Sequence, residues 1–210
     1  MIKVRRGMDL PIAGTPEQTI YDGPAVSQVA LIGSDYHGMK PTMAVRQGDV
    51  VKKGQLLFTD KKNDSAKYVA PAPGTVAAIN RGERRVFQSL VIDVEGHESK
   101  TFAAYKSEQL QELDRQLVTD QLVESGQWVA FRTRPFSKVP SAGSVASSIF
   151  VTAMDTNPLA ADPTVIIGQR EGDFANGLKV LSRLTDGPVN VCAAPDVSIP
   201  GEEVEGVREI

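Results

Sequence analysis

The sequence has little of what most catalytic and metal sites require. Its 210 residues include one cysteine, Cys192, and two histidines, His37 and His97. A single cysteine excludes an intrachain disulfide, and no His/Cys cluster has the spacing of metal ligands. Nucleophilic catalysis would need Ser or Cys beside a His and an orienting acid. We therefore expect neither a catalytic residue nor a metal site, and we interpret Cys192, in an alternating apolar run, as a buried structural thiol.

Long apolar runs and concentrated positive charge are also missing. No apolar run approaches the roughly 20 residues that a membrane-spanning helix needs. The basic start of the chain is not followed by an apolar core, which argues against a secretory signal and predicts a cytoplasmic location. The net charge of −3 is mixed along the chain, and Arg81, Arg84 and Arg85 are more typical of a solvated turn than of a binding patch. We therefore expect no nucleic-acid partner.

Glycine, proline and apolar spacing divide the chain into three regions. Residues 1–38 are rich in Gly, Pro and Asp, with breaks that include Gly7 and Pro11, and predict an extended arm with one or two short strands. Residues 39–100 contain strand-length apolar runs separated by Gly or Pro, which predicts a small β-sandwich or flattened barrel. Residues 101–210 begin with a helical pattern and continue into an α/β region. The predicted fold class is therefore mixed, or α+β.

The third region has a helical part and a strand–helix–strand part. Apolar residues three and four apart predict a helix with Ser107 as its N-cap and Gly126 as its stop, followed by loops up to residue 148. A strand over 148–154, a helix over 171–185 and a strand over 189–193 form a βαβ unit, which implies a parallel sheet. One such unit cannot cover both faces of the sheet. Either the sheet closes on the β domain or the chain continues beyond residue 210, and we favour the second.

The β region resembles biotinyl/lipoyl domains. The resemblance lies in residues 45–57, with two glycine turns, and residues 69–76, with an Ala-Pro-Ala-Pro-Gly step. In that family a lysine at a hairpin tip carries the cofactor. Here Lys61 and Lys62 lie too far before the proline step and Lys67 lies too near, while Lys, Asn and Asp in a turn are explained by solvation and turn chemistry. We expect no lipoyl or biotinyl attachment and interpret the domain as a scaffold; a lysine-modified carrier is an alternative.

The segment from Val123 onward resembles the flavin-binding subunit of complex I, which implies a Rossmann-like domain. In that family a helix ends in Ser-Gly, and a glycine-rich loop follows whose backbone N–H groups approach the flavin phosphate. Bulky residues stand where those glycines would be needed: Trp128, Val129, Phe131, Arg132 and Arg134. Their side chains block close backbone approach and positive φ. We therefore expect that flavin binding is lost, with a flavin- or nucleotide-binding reductase module as an alternative.

The same resemblance continues in residues 152–163, which correspond to an acidic turn after a strand. Loops at this end of a parallel sheet are where α/β proteins bind ligands, although Asp155, Asn157 and Asp162 are also ordinary turn residues. Because an apolar loop with arginines replaces the flavin cradle, we expect weak hydrophobic quinone binding there. The candidate quinone or ligand residues are Phe131, Arg132, Arg134, Phe136, Asp155 and Asn157.

Four longer strings carry a narrower resemblance. They are Gly-Met-Asp-Leu-Pro-Ile-Ala-Gly (residues 7–14), Gly-Met-Lys-Pro-Thr-Met (38–43), Arg-Thr-Arg-Pro-Phe-Ser-Lys-Val-Pro (132–140) and Met-Asp-Thr-Asn-Pro-Leu-Ala-Ala-Asp-Pro (154–163). The chain resembles the A-subunits of the bacterial Na+-translocating NADH:quinone oxidoreductases over essentially its whole length. This implies a peripheral subunit on the cytoplasmic face of the inner membrane, attached through partner subunits of a complex that oxidises NADH, reduces ubiquinone and pumps Na+. It also implies a cofactor-free subunit with assembly and quinone-binding roles, whose partners hold the flavins and the iron–sulfur centre.

Overall fold

A computed structural model describes residues 12–195 and 197–210. The predicted breaks at Gly7 and Pro11, and most of the string at 7–14, lie outside the described residues. The chain forms two compact units. The β unit spans Gly23–Ala146, and the α/β unit contains Ser147–Ile210 together with residues 12–22.

Two antiparallel sheets form the β unit. Their strands are β1 (Gln28–Ile32), β2 (Pro41–Met43), β3 (Val50–Val51), β4 (Leu56–Asp60), β5 (Asn63–Val69), β6 (Gly74–Arg81) and β7 (Phe87–Val94). One sheet has the order β1-β7-β6-β3 and the other the order β2-β4-β5. The core contains the fully buried residues Leu57, Phe58, Val76, Leu90 and Ile92. The predicted β architecture of residues 39–100 is confirmed, and β1 is the short strand predicted within the arm.

The Ala-Pro-Ala-Pro-Gly step ends in a glycine that the fold requires. Gly74 has a φ of 147°, and an added Cβ would overlap with the carbonyl oxygen of Asp93 on the paired strand β7. Only glycine allows the two backbones to approach this closely. The step therefore positions the start of β6, which is the role that the sequence pattern indicated.

The last part of the β unit is mainly helical. It contains a 3₁₀ segment at Ser107–Glu112, helix α1 at Arg115–Glu124 and another 3₁₀ segment at Gln127–Ala130. The predicted N-cap at Ser107 is wrong, because extended backbone at Leu113 and Asp114 separates the first segment from α1. Asp114 caps α1 instead, and its carboxylate accepts from the backbone N–H of Gln116 at 2.8 Å. The stop at Gly126 is confirmed by its left-handed φ of 75°.

Contacts divide the chain differently from the ranges 1–38, 39–100 and 101–210 that composition indicated. Strand β1 pairs with β7 and therefore belongs to the β unit. Residues 101–146 also cluster with the β strands, because α1 and the Gln127–Ala130 segment pack against β5. The composition of the sequence changes near residue 100, but the packing of this β unit continues to residue 146.

A parallel sheet forms the centre of the α/β unit. Its order is β10-β9-β8, with β8 at Ile149–Thr152, β9 at Val189–Cys192 and β10 at Val207–Glu209. Helices α2 (Pro163–Gln169) and α3 (Glu171–Ser182) connect β8 to β9, so the predicted βαβ unit is confirmed. The sequence did not indicate β10, because its Glu- and Gly-rich surroundings are typical of irregular structure. Cys192, at the end of β9, is only partly buried, in contrast to the predicted buried thiol.

Candidate functional site

A loop rich in arginine is fastened to the β4–β5 hairpin. We call residues 131–140 the arginine loop. Trp128, with 5% of its surface exposed, donates from its indole nitrogen to the carbonyl of Pro140 at 2.9 Å. The side-chain amide of Asn63 donates to the carbonyls of Val139 and Pro140 at 3.2 and 3.1 Å. The C-terminal end of the loop is thus held by the Gln127–Ala130 segment and by strand β5, which is how a scaffold positions a binding surface.

Arg132 links the arginine loop to an aromatic cluster. Its guanidinium lies 5.7 Å from the ring centroid of Tyr36 and donates to the carbonyls of Val129, Phe131 and Asp35. The Tyr36 ring meets Tyr68 edge-on, with centroids 4.6 Å apart. Tyr68 in turn stacks on the buried ring of Phe58 at 4.6 Å. The arginine, the two tyrosines and the core therefore form one continuous packed array.

Both tyrosines of the array stay protonated at neutral pH. Burial raises the pKa of Tyr68 to about 12, helped by the negative charge of Asp60 and opposed by Arg132. Burial also raises the pKa of Tyr36, again helped by a neighbouring acid, Asp35, and opposed by Arg132. A phenol that stays protonated keeps an O–H group to donate and does not remove protons at neutral pH. The array is suited to binding an acceptor group rather than to removing protons.

A cavity of about 600 Å³ opens beside this array. We call it the tyrosine–arginine cavity. Its walls come from residues 36–39, from the β4–β5 hairpin and from the arginine loop; they include Tyr36, His37, Met39, Tyr68, Arg132 and Lys138. The lining combines aromatic surface and cationic and neutral hydrogen-bond donors with two carboxylates, Asp60 and Asp64. Such a lining suits a flat ligand that carries oxygen acceptors.

The six predicted ligand residues are divided between the two units. Arg132 lines the tyrosine–arginine cavity, and Phe131 packs edge-on against Trp128 with centroids 5.0 Å apart. Arg134 and Phe136 belong to the same loop and are exposed, Phe136 to 71%. The remaining two predicted residues belong to the other unit, so their assignment to a shared ligand site stays a prediction.

Those two residues, Asp155 and Asn157, form a local turn in the α/β unit. The Asp155 carboxylate accepts from the backbone and side-chain nitrogens of Asn157 at 2.8 and 2.7 Å. Asp162 caps α2 by accepting from the backbone N–H of Thr164 at 2.9 Å. Hydrogen bonds from the side chain and backbone of Thr164 lower the pKa of this exposed carboxyl. The interpretation of these residues as turn and cap residues is confirmed.

The sequence did not reveal the two tyrosines or Lys138 as members of a cavity. Tyr36 and Tyr68 are 32 positions apart, as their numbers show, and neither belongs to a local motif. Tyr36 does lie just before the string at 38–43, and that string was the only local sequence signal near either tyrosine. Their proximity depends on the way the first sheet covers the second.

The lysines of the hairpin have separate roles. Lys61 and Lys62 form the two-residue turn between β4 and β5, where Asp60 pairs with Asn63. Lys67 lies within β5 and pairs with Glu124 at 2.7 Å. Two of the three lysines therefore lie at a hairpin tip, as a lipoyl or biotinyl attachment site would require. Their distance from the proline step was the argument against such attachment.

Glu124 receives a second lysine and fastens α1 to the strands. Besides Lys67, it is ion-paired with Lys100. Hydrogen bonds from Lys100 and Lys67 lower the pKa of Glu124 to about 2, against an opposing effect of burial. The carboxylate is thus charged at all physiological pH values and acts as a structural link.

Metal and membrane signatures are absent from residues 12–195 and 197–210. No three His, Cys, Asp or Glu side chains in this part of the chain converge as metal ligands would. None of its helices combines the length and apolar character needed to cross a bilayer. Arg84 and Arg85 are exposed in the turn between β6 and β7, in agreement with the predicted solvated loop.

Two family models match consecutive parts of the chain. Residues 2–95 match the NqrA N-terminal barrel-sandwich hybrid domain, and residues 113–210 match the NqrA second alpha/beta domain. The chain belongs to the NqrA family. The two models confirm the predicted order of the fold, in which a β-sandwich domain precedes an α/β domain.

Relatives in the NqrA family are similar along the whole chain. The A-subunit of the Na(+)-translocating NADH-quinone reductase of Saccharophagus degradans is 62% identical over 208 residues, which are 99% of this chain and 46% of the relative. The protein of the same name from Teredinibacter turnerae is 61% identical over 204 residues, 97% of this chain and 46% of the relative. The one from Haemophilus influenzae is 58% identical over 209 residues, 99% and 47% of the two chains. The chain spans about half the length of these relatives.

Proposed function

We propose that the chain belongs to a peripheral subunit of a Na+-translocating NADH:quinone reductase, with roles in assembly and in quinone binding. The names of its relatives support the assignment to this complex. In the proposal, the complex oxidises NADH, reduces ubiquinone and pumps Na+, while partner subunits hold the flavins and the iron–sulfur centre. The subunit lies on the cytoplasmic face of the inner membrane and reaches the membrane through those partners.

The tyrosine–arginine cavity is the observation that supports a quinone. A quinone head is a flat ring with carbonyl oxygens that accept hydrogen bonds. The cavity offers aromatic walls at Tyr36 and Tyr68 and donors at Arg132 and Lys138. Both phenols are protonated at neutral pH, so their hydroxyl groups can donate hydrogen bonds. Phe136 adds exposed apolar surface on the adjoining loop, which suits an isoprenoid tail.

Substitution of one phenol in the intact complex tests this location. Tyr36→Phe removes a hydroxyl donor but keeps the ring that packs on Tyr68. We expect the KM for a short-chain ubiquinone to rise about three- to tenfold, since one hydrogen bond contributes about 0.5–1.5 kcal/mol. NADH oxidation by an artificial electron acceptor should stay unchanged. Tyr21→Phe is the matched control, because Tyr21 is exposed and belongs to the α/β unit.

Two results would place the quinone elsewhere. One is an unchanged KM in Tyr36→Phe. The other is an equal rise in Tyr36→Phe and in Tyr21→Phe, because the effect would then not be specific to the cavity. Asp155 and Asn157 remain candidates on the ground of the family resemblance alone.

The cofactor-free part of the proposal rests on the arginine loop. A flavin cradle needs backbone N–H groups that a phosphate can approach, and glycines usually provide this access. Here Trp128 is buried beneath the loop and its indole holds Pro140. We expect neither flavin absorbance in the purified subunit nor release of flavin on denaturation. Stoichiometric flavin would favour the alternative, a reductase module that uses the βαβ unit in the Rossmann-like manner of the complex I flavin subunit.

The carrier alternative keeps one supporting observation, the position of Lys61 and Lys62 at a hairpin tip. Modification of either lysine would add the mass of a lipoyl or biotinyl group. Intact-mass measurement of the subunit isolated from its native membrane decides this point. We expect the unmodified mass, and a lipoyl or biotinyl increment that Lys61→Arg or Lys62→Arg removes would establish the carrier role.

A further inference from the structure

Strand β1 is an edge strand, and no other strand of the β unit (Gly23–Ala146) pairs with its outer side. Natural proteins block such edges with charge, proline, short length or a covering element, because a free edge pairs with other chains. The other edges of the β unit are blocked in this way: β3 has two residues, β2 has three and begins with proline, and β5 is packed by α1. By contrast, the five residues of β1 are Gln-Val-Ala-Leu-Ile, with neither charge nor proline. This contrast points to an additional strand on β1.

The hydrogen-bonding direction of β1 follows from its register. The N–H of Val94 donates to the carbonyl of Ser27 at 2.8 Å, and the pairs along β1 and β7 continue from there without a shift. Hydrogen-bonded pairs alternate with non-hydrogen-bonded pairs in an antiparallel ladder. The N–H and C=O groups of Ala30 and Ile32 therefore point away from β7. No other backbone group in the described part of the chain bonds to Ala30.

A second cavity lies along this edge, entirely within the β unit. Its volume is about 860 Å³, and we call it the edge cavity. Its lining includes residues 30–32 of β1 and residues 68–70 at and just after the end of β5. Apolar and aromatic side chains line its interior: Leu31, Tyr36, Val69, Phe102 and Val129. An extended chain lying on β1 would direct alternate side chains into this space.

The charged side chains that line the edge cavity are two lysines and one aspartate. Lys53 and Lys100 line it, and Asp35 is the one acidic residue among its lining residues. Glu124 neutralises part of the charge of Lys100 but is shared with Lys67. The ammonium group of Lys53 has no ion pair within residues 12–195 and 197–210. The charge complement of this lining is an acidic chain.

We propose that the edge cavity binds an extended acidic peptide segment of a partner subunit, which adds to β1 as a further strand. Main-chain hydrogen bonds to Ala30 and Ile32 would supply the affinity, and alternate side chains in the cavity would supply the specificity. The proposal goes beyond the proposed quinone role and does not depend on it. A quinone that binds elsewhere would leave the free edge of β1 unexplained.

Defined peptides test the proposal on the intact subunit. The probe is fluorescein-labelled Glu-Val-Glu-Val-Glu-Val, measured by fluorescence anisotropy. One comparison peptide carries N-methyl groups on alternate residues and cannot donate along one edge; the other replaces each Glu with Lys. We expect the acidic peptide to bind, the N-methylated peptide to bind about tenfold or more weakly, and the lysine peptide to bind more weakly as well.

Two substitutions with matched controls identify the surface. Ala30→Pro removes the outward N–H and should weaken binding about tenfold, while Ala30→Val keeps the N–H and should bind as the unchanged subunit does. Proline is tolerated at this position because the lost donor faces away from the sheet. Lys53→Gln should weaken binding of the acidic peptide, and Lys61→Gln, at the hairpin tip outside the cavity, should not.

Amide hydrogen exchange of the unsubstituted subunit gives a readout that does not depend on folding of a variant. Saturating acidic peptide should protect the Ala30 and Ile32 amides. Equal binding of the N-methylated peptide, tight binding by Ala30→Pro, or unchanged exchange at Ala30 would each overturn the proposal. Decanoate, a small amphipathic anion, serves as a competitor. If decanoate displaces the peptide and the Ala30 amide is not protected from exchange, the proposal is also overturned, because the ligand of the edge cavity would then be a small amphipathic anion.

Discussion

Replacing Gly126 with alanine tests how the Gln127–Ala130 segment is joined to the β-sandwich. Gly126 has a φ of 75°, and an added Cβ would lie 2.6 Å from Cγ2 and 2.9 Å from Cγ1 of Val69 in β5. The left-handed backbone costs an alanine about 1 kcal/mol or slightly more. The overlap adds about 1–3 kcal/mol, because the branched side chain of Val69 has little rotational freedom. The lower entropy of the unfolded alanine chain offsets less than about 1 kcal/mol.

We therefore expect Gly126→Ala to lower the free energy of unfolding by about 1–4 kcal/mol. Urea unfolding followed by circular dichroism measures this quantity. The same change in a Val69→Ala background should cost only the backbone part, about 1 kcal/mol, because the overlapping methyl groups are gone. A loss below about 0.5 kcal/mol in the unsubstituted background, or equal losses in both backgrounds, would refute the reasoning.

Three further predictions concern the elements that hold the candidate site. Glu124→Gln should lower the free energy of unfolding by about 1 kcal/mol at neutral pH, a value discounted for the exposure of the pair. Because the pKa of Glu124 is lowered, its ion pairs stabilise the fold fully at pH values above the ordinary pKa of 4.5. This contribution is lost as the pH falls to about 2. Urea unfolding near that lower pH should therefore give the same free energy of unfolding for the variant and the unchanged chain. Trp128→Phe should cost about 1–3 kcal/mol, since the Pro140 carbonyl loses a donor and the buried volume shrinks; a fully neutral result would contradict the anchoring role of the indole. Asp114→Ala should cost about 1 kcal/mol in thermal unfolding through loss of the α1 cap, whereas Asp114→Asn should retain most of the stability.

Local signals in the sequence predicted several elements correctly. Gly126 ends its helix in the left-handed conformation, and the strands around the proline step form as predicted. Helix α2, which Asp162 caps, was not predicted. The N-cap at Ser107 failed because two candidate helices with compatible spacing were read as one. Asp114 is a second possible N-cap within the same stretch. Only the extended backbone at Leu113 and Asp114 shows that the α-helix begins after Asp114 and not after Ser107.

The candidate site was predictable only in part. The arginine loop was recognised from its bulky residues at glycine positions, and Arg132 does line a cavity. The aromatic partners of Arg132 were not recognised, because Tyr36 and Tyr68 are distant in sequence and belong to no common motif. Asp155 and Asn157 were included for their place after a parallel strand, and their observed hydrogen bonds are those of a turn.

The sequence by itself determined the family of this protein, the order of its β and α/β parts, and most of its turns and helix stops. These features depend on the conformational limits of glycine and proline and on apolar spacing, which act over a few residues. Tertiary structure alone decided that Arg132 meets Tyr36, that Glu124 joins two lysines, and that β1 keeps a free edge. These features depend on which strands become neighbours, and that is set by packing of the whole β unit rather than by any local pattern.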